Sequence, residues 1–243
     1  MSRGAKGVVL IALLAGIAVC VRRLALGNET AWIPFLSEPV ARFVFRFLTI
    51  AMGLGAWFVS QSLIAARGLR EGAIGDAVHE WTAPLHGRLV RNPGAANALL
   101  ITSSGFIDLF GLFLLGSALF GPSLRPGIGL FLLFVFRQLS QLTCALPTPP
   151  GMIWRHPGFP SLLVTYNVAN DFFFSGHTAI AVLGAIEVAR VAPGWIAGAA
   201  AVIAFLEAAT VLTLRAHYTM DVLTAVVAAF SAAGLAARIC VGF

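Results

Sequence analysis

Charged side chains are scarce in this sequence: 11% of residues, against 59% that are hydrophobic, with a mean hydropathy of +0.91. A soluble domain carries about 25% charge, so a water-facing surface cannot be built from what is present. Cysteine is also sparse. Cys20, Cys144 and Cys240 are far apart and no CxxC pair occurs, which argues against a disulfide framework and a cysteine zinc site. Although the net charge is +6 and the pI about 10.2, no basic stripe with interleaved aromatics occurs, so nucleic acid is not expected as a partner. The arginines sit mostly at the ends of apolar runs, as topology anchors or contacts to anionic lipid. There is no long linker, no low-complexity tract and no strong internal repeat.

What is present is a series of apolar runs, at about 7–21, 42–66, 96–120, 127–145, 173–192, 195–214 and 218–238. Several reach the roughly 20 residues that cross a hydrocarbon core. Backbone polar groups must be satisfied internally in lipid, so such runs are helices. The expected fold is all-α: an integral, multi-pass transmembrane bundle with a six-span core and one additional N-terminal hydrophobic helix. Residues 1–41 form that helix and its connection, and 42–243 form the core of a single functional domain.

Two polar connections interrupt the apolar pattern. Residues 67–95 carry Arg67, Arg70, Glu71, Asp76, His79, Glu80, His86, Arg88 and Arg91. Residues 146–171 carry Pro147, Pro149, Pro150, Arg155, His156, Pro157, Pro160 and Asp171, a proline density that breaks any helix. Each is separated from the next, and from Arg215–His217, by two spans. All three segments therefore meet on one membrane face. Seven spans with the basic N-terminus inside put that face in the cytoplasm by the positive-inside rule; six spans reverse it.

Ionisable groups within spans are costly and are functional candidates. His217 and Asp221 lie four apart on one helical face. A carboxylate there fixes the imidazole tautomer and leaves the other nitrogen for nucleophilic or base chemistry. The same spacing suits zinc ligation, but no third ligand stands at metal spacing; a plain boundary histidine is the other alternative. His177 follows Ser175, a plausible N-cap, and Gly176, which permits close backbone approach. A helix N-terminus favours an anion there. Arg137 needs an anionic or carboxylate partner. Either a substrate phosphate or a structural pair with Asp108, Glu187 or Glu207 would serve. Those three acidic residues are themselves expected to be structural, in stretches rich in small residues.

The string Asp171-Phe-Phe-Phe-Ser-Gly-His-Thr178 followed by His217-Tyr-Thr-Met-Asp-Val222 resembles the signature motifs of the type 2 phosphatidic acid phosphatase superfamily. It is most similar to its sphingomyelin synthase and phosphatidylcholine:diacylglycerol cholinephosphotransferase branch. Arg137, with Leu146-Pro147-Thr148-Pro149 nine to twelve positions later, looks like the arginine and LPxP element that precedes these motifs. Arg215, two positions before the second histidine, matches the cholinephosphotransferases. Val211 stands where the phosphatases carry an arginine six residues before that histidine, and their Arg-Pro first motif is missing.

The resemblance implies a lipid phosphotransferase working through a phosphohistidine, with a lipid phosphatase as the alternative. It makes His217 the nucleophile, Asp221 its orienting carboxylate and His177 the acid and base. Arg137, Ser175 and Gly176 would bind the phosphate, with Arg215 assisting. Asp171 would orient His177, recognise a cationic head group or stabilise its loop, and Tyr218 would pack under the pocket or touch lipid. No cofactor and no metal are implied. The partners are the bilayer, a phospholipid donor and a lipid-alcohol acceptor such as diacylglycerol or a ceramide; a homo-oligomer is compatible with this reading.

Overall fold

The computed structural model describes residues 5–13, 15–16, 38–66, 71–164, 166 and 172–240. All regular structure among them is helical. Residues 5–13 and 15–16 are helical; the remainder of the first apolar run lies outside the described residues. Eight helices follow: α1 (Pro39–Ala65), α2 (Ala77–Trp81), α3 (Ala83–Arg91), α4 (Pro93–Phe120), α5 (Arg125–Thr143), α6 (Gly176–Val191), α7 (Gly194–Thr213) and α8 (Thr219–Ile239).

The helix limits follow from local chemistry. Pro39 and Pro93 open α1 and α4 at a position where a missing N–H costs nothing. Asn92 Oδ1 accepts the Ala95 N–H at 3.1 Å and caps α4. Pro193 separates α6 from α7. The 67–95 connection is partly helical, because Asp76 caps α2 by accepting the Val78 and His79 N–H groups at 3.0 and 3.3 Å, and Pro84 starts α3. The proline-rich segment after α5 has no helix in its described part.

Four helices, α1, α4, α7 and α8, are long and apolar enough to cross a membrane, and the chain is a multi-pass membrane protein. α5 has 19 residues but carries Arg125, Arg137, Gln138 and Gln141. α6 has 16 residues, nine of them buried, and packs against α4, α5, α7 and α8. α6 is thus the most enclosed of the long helices, with its one acidic residue, Glu187, buried among them.

On α7 and α8, small side chains face inward and large ones outward. The buried residues of α8 include Ala225, Ala228, Ala229, Ala232, Ala233 and Ala236, whereas Leu223, Val227 and Phe230 are exposed. On α7, Ala200 and Ala204 are buried and Val202, Phe205 and Leu206 exposed. Lipid supplies no hydrophobic drive between helices, so close backbone approach through small residues does the packing and large side chains face the acyl chains.

The acidic groups within the bundle are all engaged. Glu187, on central α6, accepts from Arg125 Nη2 at 2.8 Å and Nε at 3.2 Å, with Arg190 at 3.7 Å. Ser103 donates to Glu207 at 2.5 Å, joining α4 to α7. Asp108 accepts the Leu162 and Leu163 N–H groups at 2.9 and 3.0 Å and ties the proline-rich segment to α4. These are the structural roles expected for the three. Replacing Arg125 by Met strands the Glu187 carboxylate beside only the more distant Arg190. Such a change costs about 3 kcal/mol. The Arg125→Met protein is expected to melt earlier in detergent, and Glu187→Gln in the same chain to recover most of the loss; no recovery would refute the pairing.

Candidate active site

Two chain turns build the site. The first opens α6. Ser175 occupies the N-cap in extended backbone, and its Oγ accepts the Thr178 N–H at 3.3 Å and the Thr178 hydroxyl at 3.1 Å. This cap lets His177 stand in the first turn, at the positive end of the helix. The second turn joins α7 to α8. Here the chain reverses through Arg215, whose φ of 54° is left-handed, and enters α8 at Thr219.

Asp221, fully buried in the first turn of α8, reaches back into that reversal. Its Oδ2 accepts the Tyr218 N–H at 2.9 Å and lies 3.3 Å from His217 Nδ1. Its backbone carbonyl accepts the Ser175 N–H at 3.2 Å. One residue thus fixes the second turn and joins it to the first. His217 Nδ1 also lies 3.2 Å from the Phe172 carbonyl. Both neighbours are acceptors, so Nδ1 carries the proton and the lone pair falls on Nε2. Nε2 has no hydrogen-bond partner among the described residues.

His177 and His217 line one cavity, together with Arg137, Gly176, Trp154 and Trp57. His177 Nε2 is buried without a hydrogen-bond partner, and Trp154 meets the His177 ring edge-on with centroids 5.0 Å apart. Arg137 enters from α5 and packs on Gly176: a Cβ at that position would stand 3.2 Å from Nε. Gln61 of α1 steadies the guanidinium, accepting from Arg137 Nη1 at 3.1 Å and from Gln138 at 3.3 Å. A pair of imidazoles beside a guanidinium, all three largely buried, can bind an oxyanion and move a proton next to it.

The remaining predicted residues fall elsewhere. Ser175 and Asp221 support the cavity from behind its wall. Tyr218 stacks on His79 with centroids 5.7 Å apart. Arg215 does not line the cavity; it donates to the Pro150 carbonyl at 2.9 Å and the His79 carbonyl at 3.5 Å. Asp171 lies outside the described residues.

Several residues that carry no motif hold the second turn in place. His79 Nε2 bonds the His217 carbonyl and His86 Nδ1 the Thr213 carbonyl, each at 2.9 Å. Asp76 accepts the Thr219 N–H at 2.6 Å and its hydroxyl at 2.7 Å, clamping α2 to the start of α8. Gly151, with φ 77°, lies between His86 and Arg215; a Cβ there would be 3.2 Å from His86 Nε2 and 3.4 Å from Arg215 Nη1. Ile153 donates to the Leu214 carbonyl at 2.8 Å. The polar segments before α4 and after α5 therefore converge on the α7–α8 turn.

A helical, multi-pass membrane protein that buries two histidines and an arginine around one cavity is the class defined by this fold and site. Within it, the chain belongs to the AtPDCT1/2 family of phosphatidylcholine:diacylglycerol cholinephosphotransferases, whose family model matches residues 75–238. It is therefore a cholinephosphotransferase, and membership implies phosphocholine transfer between phosphatidylcholine and diacylglycerol. No curated protein and no solved structure matches the chain significantly. The match begins just before Asp76 and ends within α8, so it contains both histidine turns and the segment that clamps them.

The Asp76 clamp has a pH signature. Burial by itself raises the Asp76 carboxyl, but the Thr219 N–H and hydroxyl and the His79 N–H outweigh it and hold the group below the ordinary carboxylate value. A depressed carboxyl contributes stability that is complete above its unfolded pKa of about 4 and is lost as pH falls through the lower folded value. Asp76→Asn is expected to lower stability at neutral pH by about 1 kcal/mol, the site being partly open to solvent. It should also flatten the acid limb of a detergent melting curve taken from pH 7 to 3. An unchanged acid limb would show that the clamp lies elsewhere.

Proposed function

We propose that His217 is the nucleophile of a two-step phosphocholine transfer. His217 Nε2 attacks the phosphorus of phosphatidylcholine. The bond from phosphorus to the glycerol oxygen breaks, and His177, as an imidazolium, gives that oxygen its proton. Diacylglycerol leaves and phosphocholine stays on His217. The hydroxyl of a second diacylglycerol then gives its proton to His177 and attacks phosphorus, the phosphorus–nitrogen bond breaks, and a new phosphatidylcholine leaves. Asp221 orients His217 through Nδ1 and balances the positive ring. Arg137, steadied by Gln61, and the N-terminus of α6 receive the non-bridging oxygens. Arg215, by its bonds to Pro150 and His79, positions the turn that carries His217.

The observation that carries this reading is the polarity of His217. Both of its contacts fall on Nδ1, so the nucleophilic lone pair belongs to the nitrogen left for a cavity shared with His177 and Arg137. The reading also makes α5 and α6 the two further spans of a six-span core over 42–243, packed among the other four, with residues 1–41 as a separate leading helix. That accounts for the polar residues of α5 and the shortness of α6, which neighbouring helices tolerate better than lipid does.

Purified protein in vesicles with choline-labelled phosphatidylcholine and a distinguishable diacylglycerol is expected to yield labelled phosphatidylcholine on the new glycerol, with little free phosphocholine. His217→Ala abolishes transfer, and His177→Ala lowers it by about 10²–10⁴-fold. Label trapped on protein should survive alkali and be released by acid. Transfer retained in His217→Ala would overturn the assignment; free phosphocholine as the main product would make water the acceptor.

A further inference from the structure

The cavity has a second chemical character. Besides Arg137 and the two histidines, its wall includes Trp57, Phe134, Trp154 and Phe172, from α1, α5 and the segment between α5 and α6. Trp57 stacks on Phe134 with centroids 5.2 Å apart and planes 20° apart. No carboxylate lines the cavity among the described residues. The choline end of the donor is a quaternary ammonium. It has no N–H to donate, keeps its positive charge at every pH and spreads it over methyl groups, so aromatic rings suit it better than hydrogen-bond acceptors do. A primary ammonium needs acceptors for three N–H groups, and an aromatic wall supplies none.

We infer that Trp57, Phe134, Trp154 and Phe172 form the subsite that receives the trimethylammonium of the donor and sets its preference for choline over ethanolamine. This rests on the transfer reading given above. The rings stand in the same cavity as Arg137 and the histidines, so phosphate and ammonium of one zwitterionic head group are received side by side. Trp57 has a second feature of a ligand-binding residue: its indole N–H is buried without a hydrogen-bond partner and supplies a donor for an oxygen of the same lipid. α1, which carries Trp57, lies outside the family-matched residues 75–238. Trp154 braces His177 as well, so Trp57 and Phe134 are the cleaner probes.

The experiment compares donors that differ only at nitrogen: phosphatidylcholine, its N,N-dimethyl analogue and phosphatidylethanolamine, each reconstituted with diacylglycerol and the full-length protein. The wild type is expected to favour each added methyl. Trp57→Leu should lower kcat/KM for phosphatidylcholine by roughly tenfold, mainly through KM, and that for phosphatidylethanolamine by much less. Trp57→Phe should restore most of the preference, and Phe134→Leu should reproduce the loss independently of any folding defect at position 57. Equal losses for all donors in both leucine variants would reduce these rings to packing and overturn the subsite. Loss of the preference in Asp171→Asn, with Trp57→Leu unaffected, would assign the ammonium to a carboxylate and overturn it too. A wild type that transfers no head group, with His217→Ala indistinguishable from it, would defeat the transfer reading rather than the subsite.

Discussion

The carboxylate of Asp221 is the fixed point of the molecule. It is wholly buried, and a carboxylate in that position persists only if its surroundings answer the charge. The answer comes from the Tyr218 N–H and from His217, both at the mouth of α8. Because the same residue takes the Ser175 N–H on its backbone carbonyl, the direction of the His217 ring and the entry of α6 are set together. Everything else on this face is arranged around that turn: His79 and His86 bond its carbonyls from α2 and α3, Ile153 reaches it from the proline-rich segment, and Asp76 holds the first residue of α8. A site joined by backbone contacts keeps its registry even where the helices that carry it slide by a fraction of an ångström.

The bundle that surrounds the turn is built by a different rule. The buried faces of α7 and α8 are mostly alanine, while large side chains such as Ile107, Leu114, Leu133 and Leu183 fill the space between α4, α5 and α6. With dispersion rather than water exclusion as the attraction between helices, polar links carry a large share of the specificity. The Arg125–Glu187 and Ser103–Glu207 bonds each lock one pair of helices. Asp108 does the same between a helix and a loop, by offering its two oxygens to consecutive N–H groups.

Helix positions were legible because lipid imposes them: each apolar run from the second onward lies within about three residues of an observed helix. The sequence places His217 and Asp221 on one helical face; they do meet, but His217 precedes the Tyr218 N-cap, and the contact comes from Asp221 reaching back out of the first turn of α8. The cap at Ser175 and the close approach at Gly176 were legible from residue type. The partners of Arg137, His79 and His86 were not, since Gln61 and two backbone carbonyls lie 76, 138 and 127 positions away and no local pattern marks them. The bonds of Arg215 to the Pro150 and His79 carbonyls were not legible either, since those partners lie 65 and 136 positions away. The two short helices at 77–91 escaped notice because they carry the polar residues of a surface segment and are too brief for an apolar periodicity to register.

Gln61 and Trp57 occupy successive turns of α1 and meet the site only through their side chains. The turns that hold the histidines are bonded backbone to backbone, and α1 is not part of that weave. Such an arrangement separates two kinds of change. A substitution on α1 leaves the backbone bonds between the two turns in place, whereas one at 217–221 disturbs both turns at once. Residues of α1 that line the cavity can therefore be exchanged without breaking those backbone bonds, and the family pattern, which begins after that helix, would not register the difference.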